Sequence, residues 1–111
     1  MVHKAYRLVY DVEFIPQLKA IAQKYHSTIK KAIEDHLIFE PDKKSTNRKP
    51  LTRATNWGAR WELRCGEANE YRSFYSIYPE LGEVHILAVG IKIRERLVIN
   101  GKEVKLRKLH L

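Results

Sequence analysis

An α+β fold is the prediction for this chain of 111 residues, and three stretches carry it. Tyr6, Leu8, Tyr10 and Val12 alternate with Arg7, Val9 and Asp11, the period-two pattern of a strand with one face buried. From Phe14 to Phe39 the apolar residues recur at helical spacing instead. Beyond Gly58 the alternation returns in several short runs separated by turn residues. These stretches predict an N-terminal strand, a helical hairpin, an antiparallel meander packed on the helices, and a C-terminal hairpin extension, all within a single domain over residues 1–111.

The first strand is expected over Tyr6 to Val12. Phe14, Ile15, Leu18, Ile21, Ala22 and Tyr25 predict a helix over about residues 14–25, with Pro16 tolerated in its first turn because the missing amide hydrogen would have no partner there. Ser27 is the expected N-cap of a second helix whose stripe is Ile29, Ala32, Ile33 and Leu37. The connection from Glu40 to Asn56 is long, polar and basic, with Pro41 and Pro50, and reads as a functional or mobile loop. Ala59, Trp61, Leu63 and Cys65 alternate with Arg60, Glu62 and Arg64, so one strand face is apolar and the other charged. A turn over Gly66 to Asn69 leads into an aromatic strand from Glu70 to Tyr78, and Pro79 to Gly82 reverses the chain again. Val84 to Ile91 is almost wholly apolar, as suits a central strand covered on both faces. Asn100-Gly101, two residues that tolerate positive φ, joins Leu97-Val98-Ile99 to Lys102-Glu103-Val104 in a tight hairpin.

Composition narrows the function. Twenty-one Lys and Arg against 13 Asp and Glu give a net charge of +8, which points to an anionic partner, most often nucleic acid. The hydrophobic fraction of 44% is enough for one core without a metal or disulfide staple. Cys65 is alone, so neither an intrachain disulfide nor a structural zinc site is expected, and no cofactor is called for. The N-terminus lacks the apolar stretch of a signal peptide and no apolar run is long enough to span a bilayer, so a cytoplasmic protein without membrane contact is expected.

Cations recur in the strands. Arg60, Glu62 and Arg64 suit the solvated face of an edge strand as well as a binding face. Arg72, between Tyr71 and Phe74, is harder to place structurally, since Arg seldom occupies a central strand without a partner; a salt bridge to Glu62 or Glu70 is the structural alternative to a functional role. Lys92, Arg94 and Arg96 alternate with Ile91, Ile93 and Glu95, so an extended chain would set three cations on one face. His85 opens a buried strand, and a lone His there is more often packed than catalytic. Among the aromatic residues Trp57 is the candidate for stacking on a base.

Gly58-Ala59-Arg60-Trp61-Glu62-Leu63-Arg64, Tyr71-Arg72-Ser73-Phe74-Tyr75 and Val84-His85-Ile86-Leu87-Ala88-Val89-Gly90-Ile91-Lys92, together with the Lys49-Pro50-Leu51 step before them, resemble the RelE/ParE toxin superfamily of bacterial toxin–antitoxin modules over about residues 6–99. The resemblance implies the RelE-like fold and a metal-independent endonuclease that cuts messenger RNA on the ribosome, with a cognate antitoxin as partner and DNA contact only as the toxin–antitoxin complex. It implies catalytic roles for Arg64, Arg72, Lys92 and Glu62, and RNA contacts for Arg60, Arg94, Arg96, Lys49 and Arg53. Two positions depart from RelE itself: Glu62 stands in place of a Lys, and Val98 in place of the Tyr that serves there as general base, leaving Glu62 and His85 as candidate bases. The alternatives are a ParE-like inhibitor of gyrase and a basic nucleic-acid-binding domain that has lost catalysis.

Overall fold

The structure, a computed structural model, describes residues 4–105. Its elements run β1 (Arg7–Tyr10), α1 (Phe14–Lys19), α2 (His26–Leu37), β2 (Arg48–Pro50), β3 (Trp61–Cys65), β4 (Tyr71–Tyr78), β5 (Glu83–Ile93), β6 (Arg96–Ile99) and β7 (Lys102–Val104). Among these residues no helix is long and apolar enough to cross a membrane.

The helical hairpin forms, with different boundaries. α1 ends at Lys19, six residues after the turn that follows β1, because Ala22 leaves the helical region (φ −52°, ψ 132°) and lets Ile21 turn into the core. A single 3-10 turn, Gln23–Tyr25, then leads directly into α2. Ser27 therefore lies inside the first turn of α2 and is not its N-cap; no side chain caps that end, and a ring nitrogen of His26 meets the Ile21 carbonyl at 2.7 Å. Ile29, Ile33 and Leu37, at i, i+4 and i+8, are fully buried and fix the face that packs on the sheet.

One mixed sheet holds all seven strands, in the order β2-β3-β4-β5-β6-β7, with β1 added beside β5. β5 is long enough, at 11 residues, to serve two neighbours on one edge. Its first part, Glu83 to Ile86, pairs in parallel with β1, and its last part, Ile91 to Ile93, pairs antiparallel with β6. The segment expected to be an irregular loop after α2 contributes a strand: β2 runs antiparallel to β3, with Lys49 opposite Glu62 and Pro50 at the outer edge, where a missing amide hydrogen breaks no ladder bond.

The buried apolar residues form two clusters, one on each side of the sheet, where composition suggested a single core. The helix side gathers Phe14, Ile29, Ile33, Leu37, Leu63 and Tyr75 among others. Phe74 and Tyr75 are adjacent in β4 and so face opposite ways, and Phe74 joins Ala59, Ala88, Leu97 and Ile99 in the second cluster. The β6–β7 hairpin covers that side closely. A Cβ at Gly90 would lie 2.6 Å from the Val98 carbonyl oxygen and 2.7 Å from Ile99, so this position accepts only glycine without displacing the hairpin.

Candidate nucleic-acid interface

The antiparallel register of β3 and β4 sets Arg64 directly opposite Arg72. Both lie on the face away from the helices, because Arg72 is two residues from Phe74 and shares its side of the strand. Like charges placed opposite each other repel, and Glu62 resolves the conflict. One of its carboxylate oxygens accepts from Arg64 Nε at 2.7 Å and the other from Arg72 Nη1 at 3.2 Å. Arg72 Nε also donates to the Asn69 carbonyl at 2.8 Å, a group aimed inward by the turn in which Asn69 takes φ 54°. Glu62 and Arg72 are buried, whereas the Arg64 side chain keeps 30% of its surface. The triad carries a net charge of +1 and leaves guanidinium N–H groups unspent, a fork suited to phosphate oxygens.

Two lysines extend this face. Lys49 sits opposite Glu62, and Lys92 pairs with Leu97, whose side chain belongs to the same outer cluster. Since Gly90 is the partner of Arg72, Lys92 occupies the diagonal position, about 7 to 8 Å away in a regular ladder. Arg94 and Arg96 do not continue the row, contrary to the alternation read from the sequence. Arg94 turns into the left-handed region (φ 59°) within the reversal between Ile93 and Arg96, which breaks the period. Arg96 then shares the side of Ile93, opposite Lys92, and pairs with Glu103 at 3.5 Å. Arg60 and Arg53 are exposed, Arg60 just before β3 and Arg53 in the segment between β2 and β3, and neither meets a carboxylate among the described residues.

Neither candidate base stands free beside the arginines. Glu62 already accepts from two guanidiniums, the structural alternative foreseen for Arg72. His85 lies five residues along β5 from Gly90, about 16 Å at the rise of a strand. There its Nε2 contacts Glu83 at 2.9 Å, its ring lies 4.5 Å from that of Tyr78, and Arg7 holds the other oxygen of Glu83. The His85 hydrogen bond, and after it the Arg7 guanidinium, hold the Glu83 carboxyl below its ordinary pKa. Val98 pairs with Ile91, which packs on the helix-side core, so position 98 points away from Arg72. No group of three His, Cys, Asp or Glu among the described residues could hold a metal ion.

Trp57 stands edge-on to Phe74 at 5.6 Å, with 39% of its surface exposed, and forms one wall of a pocket of about 280 Å³ beside Leu87, Ala88 and Ile99. Asn47 had no signal in the sequence. Its carbonyl accepts from the Arg64 amide at 2.8 Å and its side-chain nitrogen donates to the Arg64 carbonyl at 3.0 Å, so it clamps the backbone that carries the guanidinium. Only the pairing of β2 with β3 brings the two residues together.

No family model matches the chain, and no curated protein does. Among solved structures, a chain of the toxin–antitoxin complex RelBE2 from Mycobacterium tuberculosis is similar, with a TM-score of 0.64 and 23% identity over 79% of this chain and 92% of that one. The likeness is one of fold: this chain, with one strand, two helices and a mostly antiparallel meander, shares the architecture of that RelBE2 chain.

Proposed function

We propose that this protein is the toxin of a type II toxin–antitoxin pair and that it acts on messenger RNA at the ribosome, cutting it without metal. The observation that carries the reading is the cross-strand pair Arg64 and Arg72, held side by side by Glu62 on the sheet face away from the helices. Cleavage by attack of a ribose 2′-hydroxyl on the adjacent phosphate builds up negative charge on the phosphate oxygens in the transition state. Guanidiniums fixed in advance stabilise that charge without reorganising. Lys49 and Lys92 on the same face add attraction for the backbone, and the excess positive charge suits an antitoxin with an acidic segment. DNA contact belongs to the toxin–antitoxin complex.

A second reading has a specific observation in its favour. Glu62 is engaged on both oxygens and position 98 faces the helix side, so the arginine face offers RNA binding without an evident proton acceptor. On this reading the protein holds RNA and does not cut it. Purified ribosomes programmed with a defined message separate the two: mapped cleavage that falls about a hundred- to a thousandfold in Arg72→Ala supports the enzyme. Intact message bound with an affinity that Arg72→Ala weakens supports the binder. Intact, unbound message together with arrested gyrase would overturn both in favour of a ParE-like toxin.

A further inference from the structure

We propose that His36, at the end of α2, is a positioning residue for Arg64: its neutral imidazole holds Arg48, and through Arg48 and Asn47 it keeps β2 clamped along β3, so that protonating His36 loosens the arginine face. The first link is a contact of 2.8 Å between Arg48 Nη1 and His36 Nδ1. A guanidinium only donates, so Nδ1 must be the acceptor and carry no proton. A protonated ring would turn N–H toward N–H and set two cations at that distance.

The next links lie along the chain. Arg48 Nε donates to the Lys43 carbonyl at 2.7 Å, and the Arg48 carbonyl accepts from the Ser45 amide at 2.9 Å. Ser45 Oγ accepts in turn from the amides of Asn47 and Arg48, at 3.1 and 3.0 Å. Residues 43–48 are thus one hydrogen-bonded knot, tied to α2 by Arg48 and to Arg64 by the two bonds of Asn47. The charged groups around His36 are few. Arg48 faces it from β2 and Asp35 precedes it on α2, while Lys43, whose carbonyl holds Arg48, pairs its ammonium with Glu40 at 3.1 Å. Burial and then Arg48 lower the pKa of His36, and Asp35 opposes them.

Amide hydrogen exchange of the full chain between pH 5 and 7.5, corrected for intrinsic rates, tests this alongside NMR titration of the His36 ring. His36 should titrate below about 6.5. Protection of the Arg64 amide should fall about tenfold through the same midpoint, as expected when a hydrogen bond to a charged group is lost, while the central Ile86 amide stays level. In His36→Gln, where the side-chain oxygen accepts from Arg48 at every pH, the Arg64 profile should be flat. In Arg48→Ala the His36 midpoint should rise toward 6.5. A His36 midpoint at or above 6.5, or Arg64 protection that ignores His36 titration in the unaltered chain, would overturn the proposal. RNA affinity, compared between the unaltered chain and His36→Gln across the same pH range, depends in addition on the RNA-directed function proposed above. If exchange responds and the affinity ratio does not, the positioning role stands and RNA contact by Arg64 fails.

Discussion

Glu62 decides whether Arg64 and Arg72 can share one patch of sheet. Removing the charge in Glu62→Gln leaves the buried Arg72 guanidinium without a counter-ion beside the partly exposed Arg64, which should cost about 3 to 5 kcal/mol in urea unfolding. A general base would behave otherwise, losing cleavage with the stability intact, so measuring both quantities on the same variant assigns the carboxylate its role. The sequence placed Glu62 and Arg64 on one face by their spacing, but Arg72 reaches them only through the register of β4, which no local pattern announces. Cys65 makes a second test at this scale. Burial, helped by Glu70, pushes its thiol up to about 11, so iodoacetamide at pH 8 should leave the native protein unlabelled and label it readily in urea.

Strand β2 and the β6–β7 hairpin are the elements that flank the candidate interface, and they differ in how legible they were. Asn100-Gly101 announced the hairpin, and both residues take the positive φ its turn requires, 53° and 77°. β2 announced nothing, because three residues ending in Pro50 at a sheet edge carry no periodicity. The charged row beyond β5 was misread for a related reason: alternation describes a strand only while the strand lasts, and Arg94 ends it. Likewise the helical spacing that ran on to Tyr25 missed the bend at Ala22, which answers to the packing of Ile21 and not to local propensity. The close seat of the hairpin gives a prediction. Gly90→Ala must push the Val98 backbone aside, which should cost about 1 to 3 kcal/mol in unfolding and change the fluorescence of Trp57 beside that cluster. Tyr75→Phe tests the other side of the sheet: the buried Pro41 carbonyl would lose the hydroxyl that donates to it at 2.7 Å, at a cost of about 1 to 3 kcal/mol.

At the scale of the whole molecule, the charge of +8 makes salt the simplest probe of the RNA contact proposed above. Each single-strand phosphate that is neutralised contributes about −0.7 to the slope of log affinity against log salt, so Arg64→Ala should lower the magnitude of the slope by about that amount. Stability should respond to acid through His36, whose pKa is lower in the folded chain than in the unfolded one. The unfolded state then takes up the proton first, so this contribution is present above about pH 6.5 and is lost as the pH falls below it toward the folded value. Beyond its charge, the molecule is organised around β5, whose one edge accepts both the start and the end of the sheet. Arg7 and its partner Glu83 are 76 residues apart in the chain. At a synthesis rate of about 5 to 20 residues per second, β1 and the helices behind it therefore wait roughly 4 to 15 s for the strand they pack against. During every round of translation the nascent chain passes through an interval in which its apolar segments are made and its sheet is not, and a protein that recognises those segments meets them before the arginine face exists.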